Sequence, residues 1–405
     1  MYMALSWRNL WRNKKRTLIA VASVLLAVLV AVVMRSMQDG SYAYMIRSSV
    51  RFYTGYMQVQ GNGYWENRSL DRSIVIDEKQ QKEILQIPHI TSIVPRLEAF
   101  SLVSFEKATR VAQIIGIDPA AQNNMTGLGK RLVQGKYLTN TSNGVLIAEG
   151  LADMLKAGVG DSIVLYGQGY HGNIAAARLP VAGIVRFPVQ EMNNASVFLA
   201  LGNAQNIFSA FGRITSLAIM LDDIRNQADV HNALSSMLGR QYTIMSWEEM
   251  MPDLVQGIEL DNASGLIMLI ILYIVIAFGV FSTIMMMTTE RAREFGILIS
   301  VGMRKTSLIW VTTLETVFLA SIGAIVGVAV SLPVIIYFHF HPIPITGGVA
   351  AFYKLFGVEN PVFYFSVDPG LFIHQAIVVL LIALATALYP LFFIKKLQPV
   401  QAMRC

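Results

Sequence analysis

Residues 265–288 read GLIMLIILYIVIAFGVFSTIMMMT, and the charged sequence ERAREFG follows at residues 290–296. A helix over the apolar stretch rises roughly 36 Å, which is enough to cross the hydrocarbon core of a bilayer. The charged residues then place the end of this helix at the membrane–water interface. A long polar segment precedes this stretch and more apolar segments follow it. The sequence therefore predicts a membrane protein that connects an outside domain with the opposite side of the bilayer.

The composition fits a membrane protein that carries a soluble insert. Hydrophobic residues make up 54% of the chain and charged residues 14%, and the apolar residues concentrate toward the two ends. The net charge of +6 includes a basic cluster near the N-terminus, which reflects membrane topology and predicts no nucleic-acid partner. That cluster consists of Arg8, Arg12, Lys14, Lys15 and Arg16. Because Cys405 is the only cysteine, no intrachain disulfide can form.

The apolar segments predict four transmembrane helices. They cover residues 18–34, about 265–288, a stretch within 308–338, and 371–394. A signal peptide is the alternative for the first segment. However, its apolar run exceeds the roughly 7 to 15 residues of a signal-peptide core, and no clear small-residue cleavage site follows. We therefore predict an uncleaved span, with residues 1–36 forming the N-terminus and the first helix.

The distribution of Lys and Arg predicts the orientation of these helices, because cytoplasmic loops carry an excess of both. Such residues lie between the second and third spans and after the fourth, whereas residues 339–370 contain only Lys354. They are Arg291, Arg293, Arg304 and Lys305, followed by Lys395, Lys396 and Arg404. We expect both termini in the cytoplasm and residues 37–262 outside it.

The predicted outer loop, residues 339–370, is rich in aromatic side chains. They are Phe352, Tyr353, Phe356, Phe363, Tyr364 and Phe365. Aromatic rings suit the membrane–water interface, but packing of the loop against the large domain explains them equally well. Both interpretations stay open.

Residues 37–262 predict a large α+β extracytoplasmic domain inserted between the first and second helices, and residues 263–405 the remaining transmembrane domain. Short apolar runs bounded by Gly, Asp or Asn predict strands, and runs with helical spacing predict helices between them. The strands are residues 144–148, 162–166, 181–185, 196–199 and 216–221, and the helices are residues 148–156, 201–210 and 225–238.

A continuous helix is predicted to run from the large domain into the second span. Ser246 and Glu249 have the spacing of a capping box, and Pro252 would be tolerated in the first turns. Residues 35–50 would form a matching stalk after the first span. Two stalks would let the outer domain move with the helices beneath it.

No catalytic motif is recognisable in the sequence. The Gly-Lys pairs at residues 129–130 and 135–136 lack the upstream glycine of a P-loop, so we do not expect this chain to bind ATP in that way. His339 and His341 would point to different faces of a helix end and do not predict a metal site. We therefore expect no cofactor in this chain.

Two features of the third span concern polar and small residues. Glu315 lies about two turns into the span, where an ionisable group needs a partner or water and is a candidate for a functional role. A structural role, in which Glu315 reaches the interface or a neighbouring Arg, is preferred. Gly323, Gly327 and Ser331 recur every four residues, a pattern that lets helices approach closely. Pro333 predicts a kink or the end of the helix beyond them.

Several motifs resemble those of the FtsX-like permeases, the superfamily of ABC transporter permeases with a MacB-type periplasmic domain. The most specific is ERAREFGILISVGMRK at residues 290–305, directly after a long span. Supporting sequences are WRNLWRNKKRT at 7–17, GVGD at 158–161, GIV at 183–185 and LQPVQA at 397–402. The layout is most similar to that of the lipoprotein-releasing LolC and LolE permeases.

In this family, residues corresponding to 290–305 dock on a separate ATPase subunit, and we call them the coupling segment. The resemblance implies this function for Glu290, Arg291, Arg293, Glu294, Phe295, Gly296, Leu298 and Gly302. Phe295, Leu298 and Gly302 would form an apolar ridge on a short helix. A solvated turn is the alternative. Only about seventeen residues precede the first span, so we expect the ATPase, with its ATP and Mg²⁺, in another chain.

The resemblance implies a mechanotransmission machine in the bacterial inner membrane. A dimer of ATPase subunits would drive two permeases, this chain and a second copy or a paralogue, without the substrate crossing the membrane. The preferred function is release of lipoproteins from that membrane. The alternatives are FtsX-like regulation of cell-wall hydrolases and MacB-like export of peptides or antibiotics.

Two substrate-related sites follow from the same resemblance. Acyl chains would lie in an apolar cleft between spans one and two of the partner permeases, for which the candidates are Val28, Val32, Ile267 and Ile271. Residues 166–179 occupy the position of a hook that binds a periplasmic carrier, for which the candidates are Tyr166, Gly169, Tyr170 and Leu179. The stretch lacks the proline of the hook, so a flexible Gly-rich hairpin is the alternative.

Overall fold

The structure, a computed structural model, describes residues 2–12, 14–386 and 388–398. Its α-helices are α1 (Tyr2–Arg12), α2 (Lys14–Ser49), α3 (Tyr64–Asn67), α4 (Glu78–Leu85), α5 (Pro119–Thr126), α6 (Glu149–Leu155), α7 (Gln190–Ala195), α8 (Leu201–Ile207), α9 (Gln227–Leu238), α10 (Trp247–Met250), α11 (Pro252–Glu290), α12 (Ala292–Ser300), α13 (Lys305–Phe340), α14 (Gly347–Leu355), α15 (Pro369–Thr386) and α16 (Leu388–Lys396). Its strands are β1 (Met57–Gly61), β2 (Ile90–Phe105), β3 (Ala108–Ile117), β4 (Leu132–Gly135), β5 (Val145–Ala148), β6 (Ser162–Gln168), β7 (Ile174–Val185), β8 (Ser196–Ala200), β9 (Ser216–Leu221), β10 (Tyr242–Ser246), β11 (Ile343–Pro344) and β12 (Val362–Phe363). Most of the LQPVQA motif, with Arg404 and Cys405, lies outside the described residues.

Four helical segments among the described residues are long and apolar enough to cross a membrane. They are Thr17–Thr54, Pro252–Glu290, Lys305–Phe340 and Pro369–Lys396. The α+β domain lies in the chain between the first and second of these segments. The predicted fold class is therefore confirmed.

The helix break at Met251 differs from the prediction, and of the two alternatives for Pro333 the helix end is excluded. The capping box of Ser246 and Glu249 caps the short α10, and Met251 leaves helical geometry (φ −129°, ψ 57°) before Pro252 begins α11. A proline at the first helical position costs little, because the first amides of a helix have no partner within the helix. Pro333 does not end α13, which continues well beyond it. A packed apolar helix tolerates the carbonyl that loses its donor there.

The described residues divide into two compact units, which we call the membrane unit and the large domain. The membrane unit lies within Met1–Tyr44, Gly257–Pro344 and Val362–Cys405, and the large domain comprises Met45–Gln256 and Ile345–Pro361. Part of the predicted outer loop thus belongs to the large domain, where Arg131 Nε donates to Glu359 Oε1 at 2.7 Å and Gly357 lies against the ring of Phe52. For residues 345–361, packing against the large domain is the correct interpretation.

Within the membrane unit, α2 and α13 pack at very short range. A Cβ at Gly323 would stand 2.6 Å from the Cβ of Val24, and one at Gly327 would stand 2.8 Å from the Cβ of Val28. Ser331 follows on the same face of α13 and is completely buried. The absence of side chains at the two glycines lets the backbones approach and gain dispersion contacts, which are the main attraction between helices in lipid.

The large domain is built on a ten-stranded mixed sheet. Its order is β10-β1-β9-β2-β3-β8-β5-β7-β4, with β6 paired to β2 and β7. Every residue of β5 and β9 is buried. This explains why both strands appear in the sequence as nearly uninterrupted apolar runs. The predicted strands and helices of this domain are confirmed, although β7 begins at Ile174, earlier than expected.

A polar cluster lies inside the large domain. Arg96 is completely buried, donates from Nε to Gln122 Oε1 at 3.0 Å and stacks 4.4 Å from the ring centre of Tyr53. Glu98, also buried, accepts a 2.5 Å hydrogen bond from the Tyr53 hydroxyl and pairs with Arg68 at 3.5 Å. Burial lowers the pKa of Arg96. The surrounding polar groups offset the cost of removing these charges from water.

We expect Gly327→Ala to lower the thermal unfolding midpoint of the purified protein in detergent. The new Cβ would meet Val28 at 2.8 Å, and such overpacking costs about 1–3 kcal/mol. Gly279→Ala is the matched control, because nothing lies within 4 Å of the position of its Cβ. A Gly327→Ala protein as stable as the wild type would contradict the close packing of α2 on α13.

Candidate functional site

The coupling segment folds as a short helix between two long ones. α11 ends at Glu290, α12 occupies Ala292–Ser300, and α13 begins at Lys305. Gly302 between them has φ +106°, a conformation that favours glycine over any residue with a Cβ. The chain can therefore turn sharply after α12, and the segment presents a helix with defined inner and outer faces.

A cluster of charged and polar side chains fastens this helix to its neighbours. We call it the Glu315 cluster. Glu315 forms an ion pair with Arg291 and accepts a 2.8 Å hydrogen bond from Asn9 Nδ2. Glu294 accepts hydrogen bonds from Arg291 Nε at 3.3 Å and from Arg12 Nη2 at 2.7 Å. The cluster thus joins α1, α12 and α13.

Burial makes the central pair of this cluster important. The side chains of Glu315 and Arg291 are only 7% and 13% exposed. Either charge alone would be strongly disfavoured away from water, whereas together they compensate each other. Glu315 therefore has the neighbouring arginine that its structural interpretation requires, and its carboxylate oxygens are occupied by Arg291 and Asn9.

Phe295 lies on the inner face of α12. It is 1% exposed and packs with the buried residues Leu308 and Ile394. Leu298, by contrast, is 40% exposed. The expected ridge of Phe295, Leu298 and Gly302 is therefore wrong. Residues three apart on a helix differ by about 60° in direction, and the boundary between the buried and exposed faces falls between Phe295 and Leu298.

The outer face of α12 and the turn after it combine apolar and charged side chains. Ile297, Leu298 and Val301 are 47%, 40% and 83% exposed. Glu290 and Arg293 are exposed beside them, whereas Gly296 is buried on the inner face. An exposed apolar patch with a charged rim is the kind of surface that partner proteins cover.

Lys305 adds a second connection at the start of α13. Its Nζ donates to the carbonyl oxygens of Lys395 and Leu397 at 3.1 and 2.8 Å. Both carbonyls lie at the C-terminal end of α16, where the helix dipole favours a cation. Lys305 therefore caps the last helix as well as supplying positive charge to this end of the protein.

Asn9 and Arg12 were not expected at this site, because the sequence did not predict α1. The buried face of α1 consists of Ser6 and Leu10, and a serine followed four residues later by one leucine is not a recognisable apolar period. Ser6 Oγ donates to the carbonyl of Val311 at 3.0 Å. A short helix with a two-residue buried stripe is hard to recognise without knowing the helix against which it packs.

The four candidate cleft residues do not come together. Val28 and Val32 are completely buried in the core of the membrane unit, whereas Ile267 and Ile271 on α11 are 61% and 55% exposed. Val28 and Val32 share this core with Ile276 and Val280 of α11, and Gly327 lets α13 pack beside Val28. The cleft is expected between two permeases, so it stays a prediction.

The candidate carrier-binding stretch is mostly strand. β6 extends through Tyr166 and β7 already includes Leu179, so only residues 169–173 form the turn. Tyr166 is 55% exposed, whereas Leu179 packs against the core. The amide of Tyr170 donates to the carbonyl of Phe208 at 2.8 Å. The stretch therefore forms the hairpin of the alternative interpretation, with β6 and β7 paired antiparallel and the turn hydrogen-bonded to a neighbouring loop. Carrier binding stays a prediction.

Among residues 2–12, 14–386 and 388–398, no three His, Cys, Asp or Glu side chains are grouped so that they could hold a metal ion. The imidazole of His339 instead contacts the carbonyl of Phe365 at 2.8 Å, and that of His341 contacts the carbonyl of Tyr337 at 3.1 Å. The Glu315 cluster can hold α12 in place through ion pairs, and the exposed outer face of α12 can be bound by a partner protein.

Comparisons with known proteins match two successive parts of the chain. Residues 17–237 match the MacB-like periplasmic core domain, and residues 266–399 match the FtsX-like permease C-terminal region. The lipoprotein-releasing system transmembrane protein LolC of Neisseria meningitidis is 23% identical over 97% of this chain and 96% of its own length. The macrolide export ATP-binding/permease protein MacB of a Shewanella species is 18% identical over 79% of this chain and 50% of its own, so the chain spans half of that relative. The periplasmic region of MacB from Actinobacillus actinomycetemcomitans aligns with 49% of this chain and 91% of its own, at 18% identity and a TM-score of 0.36.

The Glu315–Arg291 pair can be tested with a double-mutant cycle. Glu315→Leu should destabilise the protein by about 3–5 kcal/mol, because Arg291 would keep a largely buried charge without its partner. Arg291→Leu should have a similar effect for the same reason. The double variant should lose much less than the sum of the two, as measured by unfolding in a denaturing detergent. Simple additivity of the two losses would contradict the pairing.

Proposed function

Because this chain belongs to the family of ABC transporter permeases with a MacB-like periplasmic core domain and an FtsX-like C-terminal region, we propose that it transmits work from a separate ATPase subunit to its large domain. In this proposal the ATPase binds ATP and Mg²⁺ in the cytoplasm, and the chain itself catalyses no reaction. The protein would lie in the bacterial inner membrane with both termini and the coupling segment on the cytoplasmic side.

The observation that carries the proposal is the construction of α12. Its outer face offers Leu298 and Val301 to a partner, while its inner face is fixed by Phe295 and by the Arg291–Glu315 pair. A force that the ATPase applies to the outer face would therefore be transmitted to α13 and to the end of α11, and would not be lost in the bending of a flexible turn. A buried ion pair and an apolar contact on the same short helix are well suited to carry force.

The length of α11 supports the second half of the proposal. Its 39 residues correspond to roughly 58 Å, nearly twice the hydrocarbon thickness of a bilayer. A helix that enters the membrane from the coupling segment thus has several turns to spare beyond it. Displacement at Glu290 would reach those turns through one continuous helix.

For the substrate, we propose lipoproteins that are extracted from the inner membrane, with a second permease copy or paralogue completing the machine. The support is similarity to LolC along nearly the entire length of both chains. Exposed Ile267 and Ile271 on α11 are candidates for contact with acyl chains or with the second permease, and exposed Tyr166 is a candidate for contact with a periplasmic carrier.

Docking of the ATPase can be tested with single charge substitutions on the outer face of α12. Leu298→Asp and Val301→Asp should weaken ATPase association roughly 30-fold or more, because an interface centre does not tolerate a desolvated charge. The complex would be affinity-purified from membranes of the native host, and the bound P-loop ATPase and its ATP turnover would be measured. Retention of a fully active ATPase by both variants would refute docking on this face.

Leu85→Asp is the matched control for this experiment. Leu85 is 44% exposed at the end of α4 in the large domain, close to the 40% of Leu298. The control should therefore retain the ATPase. Phe295→Asp is unsuitable as a docking test, because a charge at a site only 1% exposed would disrupt the packing of α12 itself.

The substrate can be tested by depletion of the chain in its host, followed by separation of the inner and outer membranes. Lipoproteins should accumulate in the inner membrane, and expression of Leu298→Asp should fail to correct the defect whereas Leu85→Asp corrects it. Normal lipoprotein sorting together with chained cells would refute the substrate and favour control of a cell-wall hydrolase. Normal sorting with increased sensitivity to macrolides would favour export.

A further inference from the structure

α1 lies along the first three turns of α13. The hydroxyl of Tyr2 is 3.0 Å from Ser307 Oγ, and Asn9 reaches Glu315 farther along the same helix. Directly after α1 the chain enters the first membrane segment, Thr17–Thr54. Because α1 is fastened at both ends and leads straight into a membrane helix, it must lie close to the surface at which that helix enters the bilayer.

The exposed face of α1 beside its contact with α13 is unusually apolar for a helix in water, and Trp7 on this face meets Phe318 of α13 edge to face at 5.7 Å. Met3, Trp7 and Trp11 are 64%, 46% and 55% exposed, and Trp310 on α13 is 62% exposed. The rings of Trp7 and Trp11 are 6.1 Å apart and meet edge to face. Tryptophan is enriched at the membrane–water interface, where its apolar ring and its polar N–H are both satisfied.

Positive charge accompanies these rings. α1 contains no acidic residue, and Arg8, Lys14 and Lys15 are exposed. None of the three has an acidic partner within 4.0 Å among the described residues, whereas Arg12 is already paired with Glu294. Exposed cations beside interfacial aromatic rings complement the phosphates of anionic lipids, and each contributes about fivefold to surface affinity.

We propose that α1 and the first turn of α2 form a binding site for anionic phospholipid headgroups. Trp7 and Trp11 lie at the level of the upper acyl chains, and Arg8, Lys14 and Lys15 bind the lipid phosphates. This site is separate from the outer face of α12, so it can be present or absent whatever the outcome of the ATPase test.

The test uses the full chain reconstituted into vesicles of phosphatidylcholine that contain an equal fraction of lipid brominated near the headgroup, either as phosphatidylcholine or as phosphatidylglycerol. Bromine quenches tryptophan fluorescence at contact. The chain has five tryptophans, and the difference between the wild type and Trp7→Phe/Trp11→Phe isolates the signal of α1. This signal should be quenched several-fold more strongly by brominated phosphatidylglycerol than by brominated phosphatidylcholine.

Charge variants then distinguish binding of the anionic headgroup from mere insertion of the two tryptophan rings into the bilayer. The triple variant Arg8→Gln/Lys14→Gln/Lys15→Gln, made in both tryptophan backgrounds, should be quenched equally by the two lipids while remaining in contact with both. The control Lys79→Gln/Lys82→Gln/Lys107→Gln removes the same charge from exposed positions of the large domain and should keep the preference of the wild type.

Equal quenching of wild-type α1 by both lipids would overturn the headgroup site. No quenching of α1 by either lipid would overturn its placement at the membrane and would mean that protein covers Trp7 and Trp11. An unchanged preference in the triple variant would show that the cations do not bind the phosphates. Size-exclusion profiles and circular dichroism establish that each variant is folded before its fluorescence is compared.

Discussion

The ion pair between Arg291 and Glu315 is the constraint on which the arrangement of the coupling segment depends. Neither charge is stable alone at this depth, because separation in a medium of low dielectric constant costs far more than it does in water. The pair therefore fixes α12 against α13, and Asn9 brings α1 to the same carboxylate. Phe295 adds apolar contact beneath it. The exposed face of α12 is defined by what these contacts leave uncovered.

In the remainder of the membrane unit, close packing of the helices provides the attraction, rather than ion pairs. Lipid is as apolar as leucine, so burial of apolar side chains between helices gains little, and short-range dispersion must provide the attraction. Gly323 and Gly327 supply it by letting α13 approach Val24 and Val28. Val28 also lies in one apolar core with Ile276 and Val280 of the second span. The two glycines therefore decide how closely α2 and α13 pack.

The large domain follows the physics of a soluble protein. Its strands bury complete apolar runs, and its one fully buried arginine is surrounded by Gln122, Tyr53 and Glu98. The anchored turn between β6 and β7 belongs to this packed body. A rigid head and a fastened coupling helix are both needed if motion made on one side of a membrane is to do work on the other, because loose elements would absorb the displacement.

The sequence by itself determined the membrane segments, the inserted α+β domain, the position of the coupling segment and the absence of a P-loop in the chain. These features follow from runs of about twenty apolar residues and from short motifs, which are local properties. Only the tertiary structure decided that Phe295 points inward, that Val28 packs on Gly327, and that α1 is a helix fastened to Glu315. On an apolar helix nearly every face is suitable for burial, so the direction in which a residue points depends on which neighbour lies opposite, and that information comes from distant parts of the chain.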